Sequence, residues 1–203
     1  MRQKKVDSSS IISPNTSSDD QVYSIMNSDH IKRALSIPFF EGHFMGFLFS
    51  DLLYLTKKKH KTLDFYIVNT NHVFGQHWYG CIRAASGWII FDCSTFTPAK
   101  DHDKLKKALS QESRVILDCK QLQDPTSLSC GLHVISFIYF MYKRLRDRNI
   151  YIPNFYCNKL LGFCKSRGYS PDNLVFYFVR ESEIFPLEVE NEREIRLWLA
   201  HFK

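Results

Sequence analysis

Between residues 123 and 142 a polar loop, Gln123-Asp124-Pro125-Thr126-Ser127-Leu128-Ser129, runs into Cys130-Gly131 and then into an apolar run ending at Tyr142. Residues 132–142 are hydrophobic nearly all round, which marks a buried helix that the rest of the chain must cover. Lys143, Arg144, Arg146 and Arg148 place positive charge at its end, where it suits the helix dipole. The loop therefore delivers Cys130 to the start of a buried helix. Unpaired backbone N–H groups and the positive end of the dipole favour a thiolate at such a place, which is what a cysteine nucleophile needs. Taken alone, the stretch also fits a plain core cysteine, since free Cys is among the most buried residue types.

The 203 residues suit one domain with a tail. Residues 1–27, rich in Ser, Asn, Asp and Lys, are expected to stay mobile, and 28–203 to form the domain. With 17 Phe, 10 Tyr and 3 Trp the composition favours a compact globule. A net charge of +6 permits binding to nucleic acid or acidic surfaces, while the basic run at 57–61 reads as a solvated loop. The N-terminus lacks the apolar core of a signal peptide, and no run of about 18 apolar residues exists. Neither secretion nor a membrane span is therefore expected, and the 6 cysteines should be reduced thiols without a disulfide framework. No CxxC pair or zinc-finger spacing of Cys and His occurs, which argues against a metal site and leaves Cys157 and Cys164 as core or surface thiols.

Ser28 or Asp29 can cap a short helix ending near residue 35. The aromatic stretch 37–47, broken by Pro and Gly, suits a packed loop, with a further short element at 47–55. Strands are predicted at 63–69, 77–84, 88–93 and 114–117, the second and third joined by a turn at 85–87 as an antiparallel hairpin. Helices are predicted at 101–109, 154–167 and 171–181, with Gly168 as a break, and finally at 190–202. Helix, strands, then helices points to an α+β layout.

A nucleophilic cysteine needs a base, a group that orients the base, and a donor for the oxyanion. If Ala84 pairs with Gly87, His77 lies opposite Ser94 and Asp92 is its diagonal neighbour on the same face, roughly 7–8 Å away. A carboxylate there can hold one imidazole N–H and free the other nitrogen for the thiol. A register slip of one residue would turn Asp92 to the opposite face. His77 also fits a strand-end histidine, Asp92 a strand terminator and Gln123 an ordinary loop amide. Among rival histidines, His133 would point away from a thiol at the helix start, His102 lies in a charged segment, and His72 is the serious competitor.

At these residues the chain resembles the adenovirus protease (adenain) family of cysteine endopeptidases and, more distantly, the SUMO and ubiquitin-like protease group. Three blocks carry the likeness: Ile67-Val68-Asn69-Thr70 followed by a short loop and His77-Trp78; the hairpin return to Asp92; and Gln123-Asp124-Pro125 through Ser127 to Cys130-Gly131-Leu132. It covers residues 30–148 and thins beyond them. The resemblance implies a mixed sheet packed against a central helix with the nucleophile at its N-terminus. It implies Cys130 as nucleophile, His77 as base and then acid, Asp92 as orienter, and Gln123 with the Cys130 backbone N–H as oxyanion donors. Trp78 would pack beside the site, and Gly131 would allow close backbone approach.

The resemblance further implies cleavage of viral capsid and core precursors near Gly during virion assembly, in the infected-cell nucleus and virion, by a monomer. No cofactor is required for the chemistry, but stimulation by DNA and by an activating peptide is implied. The cysteine through which adenain tethers its peptide is matched here by Val115, and nearby Cys119 is out of register. The alternative on the same site is a SUMO or ubiquitin-like isopeptidase. A non-catalytic DNA-binding or packaging protein is disfavoured, because all four site positions are chemically competent.

Overall fold

The computed structural model describes residues 26–49, 59–72, 75–95, 99–111 and 113–181. The expected tail over residues 1–27 lies outside these residues as far as residue 25, as do the expected helix at 190–202 and the part of the 47–55 element beyond residue 49.

Helix α1 (Ser28–Leu35) is capped by Asn27, whose side chain accepts from the His30 N–H at 2.9 Å. The cap thus sits one residue ahead of the expected Ser28 or Asp29. Asn is as good a cap as either, and here its side chain meets the free N–H of the first turn. A 3-10 turn at Pro38–Phe40 leads into strand β1 (Phe44–Phe49). This corrects the packed loop expected over 37–47. The Gly that reads as a breaker is absorbed at a register shift between Phe44 and Phe47, where Gly46 takes φ 114°. Strand pairing resumes at Phe47 opposite Ile67.

Strand β2 (Phe65–His72) pairs parallel with β1 and antiparallel with β3 (Gly75–Ala84). β3 turns through Ala85-Ser86 into β4 (Gly87–Asp92), and β5 (Val115–Cys119) lies parallel to β4. The result is a mixed five-stranded sheet in the order β1-β2-β3-β4-β5. Helix α2 (Ala99–Ser110) connects β4 to β5, a crossover that a parallel pair requires. Three helices follow: α3 (Cys130–Arg148), α4 (Phe155–Arg167) and α5 (Pro171–Glu181). The architecture is α+β, as the order of elements suggests.

Alternation along the strands sends residues to two separate cores. On one face Trp78, Ile82, Ile89 and Phe91 join Val134, Phe137 and Ile138 of α3, together with residues of α1, α4 and α5. Phe91 stacks on Phe137 with ring centroids 4.1 Å apart, and Tyr156 of α4 meets both edge-on. On the other face Tyr79, Cys81, Trp88 and Ile90 join Leu105 and Leu109 of α2. The central helix is buried as expected: every residue from Cys130 through Ile138 is buried.

The basic run is not a uniformly solvated loop. His60 is buried, its Nε2 lies 2.7 Å from the Tyr66 hydroxyl, and its ring meets Trp88 edge-on at 5.1 Å. Among the described residues Cys81, Cys93, Cys130, Cys157 and Cys164 are all buried, free thiols. No helix among them is long and apolar enough to cross a membrane.

Candidate active site

The β3–β4 ladder runs from Ala84 opposite Gly87 to Gly80 opposite Phe91, the register on which the pairing of His77 with Asp92 depends. His77 Nε2 lies 2.8 Å from Asp92 Oδ1. Asp92 is fully buried and His77 keeps 20 % of its side chain exposed. The Ser94 N–H donates to the same carboxylate oxygen at 2.9 Å. From the neighbouring strand, the Thr70 hydroxyl accepts from the His77 backbone N–H at 3.1 Å and so fixes its stem. With Nε2 engaged by the carboxylate, Nδ1 is left for a thiol, and the Cys130 side chain lies near enough to favour the charged imidazole.

Cys130 is the first residue of α3 and 5 % exposed. Three elements thus converge: the ends of β3 and β4 bring the imidazole and carboxylate, and α3 brings the sulfur. Burial is the largest single influence on His77 and works against its charge. The hydrogen bonds and negative charge of Asp92 and Cys130 together outweigh it and raise the imidazole from 6.5 to about 10. Histidine is therefore held as imidazolium across the neutral range.

Gln123 is brought to the same place. Its side chain is held at both ends: the Cys93 thiol donates to Oε1 at 3.3 Å, and Nε2 donates to the Ser127 carbonyl at 2.6 Å. An amide nitrogen carries two hydrogens, so a second N–H remains for an incoming oxygen. Burial pushes the Cys93 thiol well above its ordinary value, reinforced by the charges of Asp92 and Cys130, which keeps it a proton donor to the glutamine. His77, Asp92 and Cys93 bring ligand atoms within 4.8 Å of one another. The Cys93 thiol donates its proton to Gln123, and His77 Nε2 is engaged by Asp92.

Trp78 and Gly131 share Met26 as a partner. Trp78 is buried beside the site, and its indole N–H donates to the Met26 carbonyl at 2.9 Å. A Cβ on Gly131 would lie 2.9 Å from the Met26 Cβ, so the room that Gly131 leaves is taken by the Met26 side chain. Of the rival histidines, His72 lies at the end of β2 opposite Gly75, and its side chain is outside the described residues. His133 does turn elsewhere: it is fully buried with Nε2 2.9 Å from Asp172 Oδ1.

His102 corrects the sequence reading. Far from idling in a charged segment, it is buried, with Nε2 2.8 Å from Asp92 Oδ2. The signal was present in the spacing. His102, Leu105 and Leu109 fall on one helical stripe, and a stripe that ends in two leucines facing a sheet begins with whatever stands one turn earlier.

No family model matches the chain, and none of the curated proteins compared with it matches. Among solved structures, one of a de-sumoylating protease is similar, with TM-score 0.45 and 13% identity over 90% of this chain and 77% of that chain. A likeness at that level bears on neither activity nor substrate.

Replacing Asp92 with Asn keeps the shape but removes the charge that sustains the imidazolium. Turnover should fall by up to about 10⁴-fold, the scale of loss when the orienting carboxylate of a triad is neutralised. The alkaline limb of the rate profile should move from about 10 toward the ordinary 6.5 of histidine. A raised base contributes stability that is fully present below 6.5 and lost as pH rises through about 10. The variant should therefore also lose the decline in unfolding free energy over that window, which denaturant titrations at a series of pH values would measure.

Proposed function

We propose that this chain is a cysteine-type peptidase. The observation that carries the reading is His77 bound to Asp92 beside the Cys130 thiol, which stands at the first residue of a buried helix. In the reaction Cys130 sulfur attacks the carbonyl carbon of the scissile amide, its proton residing on His77. The oxyanion takes hydrogen bonds from the free Gln123 N–H and the Cys130 backbone N–H. When the C–N bond breaks, His77 gives its proton to the leaving amine, and a thioester remains on Cys130. Water then attacks the thioester and passes a proton to His77, and the acid product leaves as the thiol is restored.

The particular reading is an endopeptidase of the adenain kind, cutting viral precursor proteins near Gly during virion assembly. Its support is the order His77-Trp78, Asp92, Gln123 and Cys130-Gly131 along the chain. Activation by DNA, for which the charge of +6 gives a physical basis, belongs to this reading. A second reading places the same chemistry on an isopeptide bond behind a ubiquitin-like C-terminus, the class of work that the name of the de-sumoylating protease describes for that protein.

A Gly-Gly peptide reporter tests the peptidase itself, and two further measurements separate the finer readings. Cleavage of capsid precursors with no labelling of Cys130 by a ubiquitin-like C-terminal electrophile is the expected result. Labelling without precursor cleavage would replace it with the isopeptidase. Turnover should rise on adding DNA at low salt, where phosphate contacts are strongest, and indifference to DNA there removes that part of the proposal.

A further inference from the structure

We propose that His102 is a positioning residue for this site, its Nε2–H fixing the second oxygen of Asp92 so that the first stays aimed at His77. The inference rests on the cysteine-peptidase reading and adds a fourth side chain to it.

Asp92 is fully buried, and a buried carboxylate needs donors on both oxygens. Oδ1 takes the Ser94 N–H at 2.9 Å and His77 Nε2 at 2.8 Å, and Oδ2 takes His102 Nε2 at 2.8 Å. The carboxylate is thus gripped from two sides of the sheet end, by β3 and by α2. A carboxylate held only at Oδ1 can swing about its own bond. Held at Oδ2 as well, it has one orientation, and His77 inherits it.

The grip is itself rigid. Leu105 and Leu109, on the same stripe of α2 as His102, are completely buried against the sheet. The His102 ring meets Tyr79 edge-on at 5.4 Å, and Tyr79 is buried in β3 within the same cluster. Alternation also explains why α2 is the helix that reaches Asp92. Along β4, Trp88 and Ile90 belong to the α2-side core, and Asp92 continues that set. Among the described residues, the titratable groups that face the carboxylate include His77 from β3, His102 from α2 and the Cys93 thiol, so a change at His102 is read first through His77.

The test compares His102→Leu with His102→Gln, whose amide nitrogen reaches about as far as Nε2. The leucine variant should lose about 10–100-fold in kcat with KM within about 3-fold, as expected when a catalytic group is misplaced rather than substrate binding lost. Its alkaline limb should move below the value near 10 that His77 carries. His102→Gln should restore most of both. Leu105→Ala, which loosens the same helix, should lower the melting temperature without moving the limb. A leucine variant with native kcat and an unmoved limb overturns the inference, as does a shift equally large in Leu105→Ala. If the leucine variant does not fold, His102→Asn, too short to reach Oδ2, takes its place with the same expected loss. Wild-type-like reporter turnover in Cys130→Ala would instead overturn the peptidase reading, so the two failures are told apart.

Discussion

Cys130→Ala should lower turnover of a Gly-Gly peptide reporter by about 10⁴-fold or more while leaving the unfolding transition nearly unchanged. The sulfur forms the thioester, and no other described side chain at the site is placed to replace it. Cys93, a second thiol near Cys130, is fully buried and turned to Gln123, and burial and neighbouring negative charge keep it protonated. Alanine also fits, since it only shortens a side chain that is already 5 % exposed. His77→Ala should lose activity on a similar scale, and the double variant should be hardly worse than either single one, because groups that act as a unit are not additive. Wild-type-like turnover in Cys130→Ala would sink the mechanism. A large loss in Cys130→Ala with additive loss in the double variant would instead mean that His77 acts apart from the sulfur.

The parts of this site that could be read in advance follow from short-range rules. A two-residue turn at Ala85-Ser86 fixes the register, and the period of two then puts His77 and Asp92 on one face. The polar loop before an all-apolar run places Cys130 at a helix start. The missed parts are those that tertiary packing supplies. His102 was discounted for its charged neighbours, though Asp103, Lys104 and Lys107 are exposed while His102 turns inward. Cys93 was a thiol without a role until the fold set it against Gln123. Strand β1 was hidden because a Gly that breaks a local pattern can be absorbed by a bulge once a partner strand is present.

The two faces of the sheet also explain why the site lies at strand ends. His77 and Asp92 share the parity of the α2-side residues, whereas Cys130 hangs from α3 on the opposite face. Within the ladder the sheet would separate them. At the end of β3 and β4, where pairing stops at Gly80 and Phe91, the imidazole can reach round to the sulfur. The sheet therefore holds the base and its orienter, and the helix holds the nucleophile.

That division makes the loop between β5 and α3 depend on a third anchor, and Asp172→Ala should expose it. Asp172, in the first turn of α5, accepts from the Ser129 hydroxyl, from His133 Nε2 at 2.9 Å and from the Asp124 N–H at 2.8 Å. One carboxylate thus ties the middle of the loop, its end and the first turn of α3 to α5. Alanine removes all three bonds. His133, completely buried and with Nδ1 already without a partner among the described residues, would be left bare at both nitrogens. Breaking a buried pair from one side is typically worth 3–5 kcal/mol. Asp172 keeps 16 % of its side chain exposed, so water softens the loss to about 3 kcal/mol. For a chain of this length that corresponds to a fall of roughly 6–12 °C in melting temperature. Burial pushes the Asp172 carboxyl up, but the hydrogen bonds of His133 and Ser129 outweigh it and hold it below 3.8. A depressed carboxylate contributes stability that is present above 3.8 and lost as pH falls through the lowered value. The deficit of the variant should therefore be full at neutral pH and shrink in acid, and denaturant titrations between pH 2 and pH 7 would follow it on the scale expected for such linkage. Turnover should fall as well, by about 10-fold, because Gln123 is positioned through Ser127 in the same loop. An unchanged melting temperature, or a deficit that grows as the pH is lowered, would mean that the loop is held by its own turns and not by Asp172.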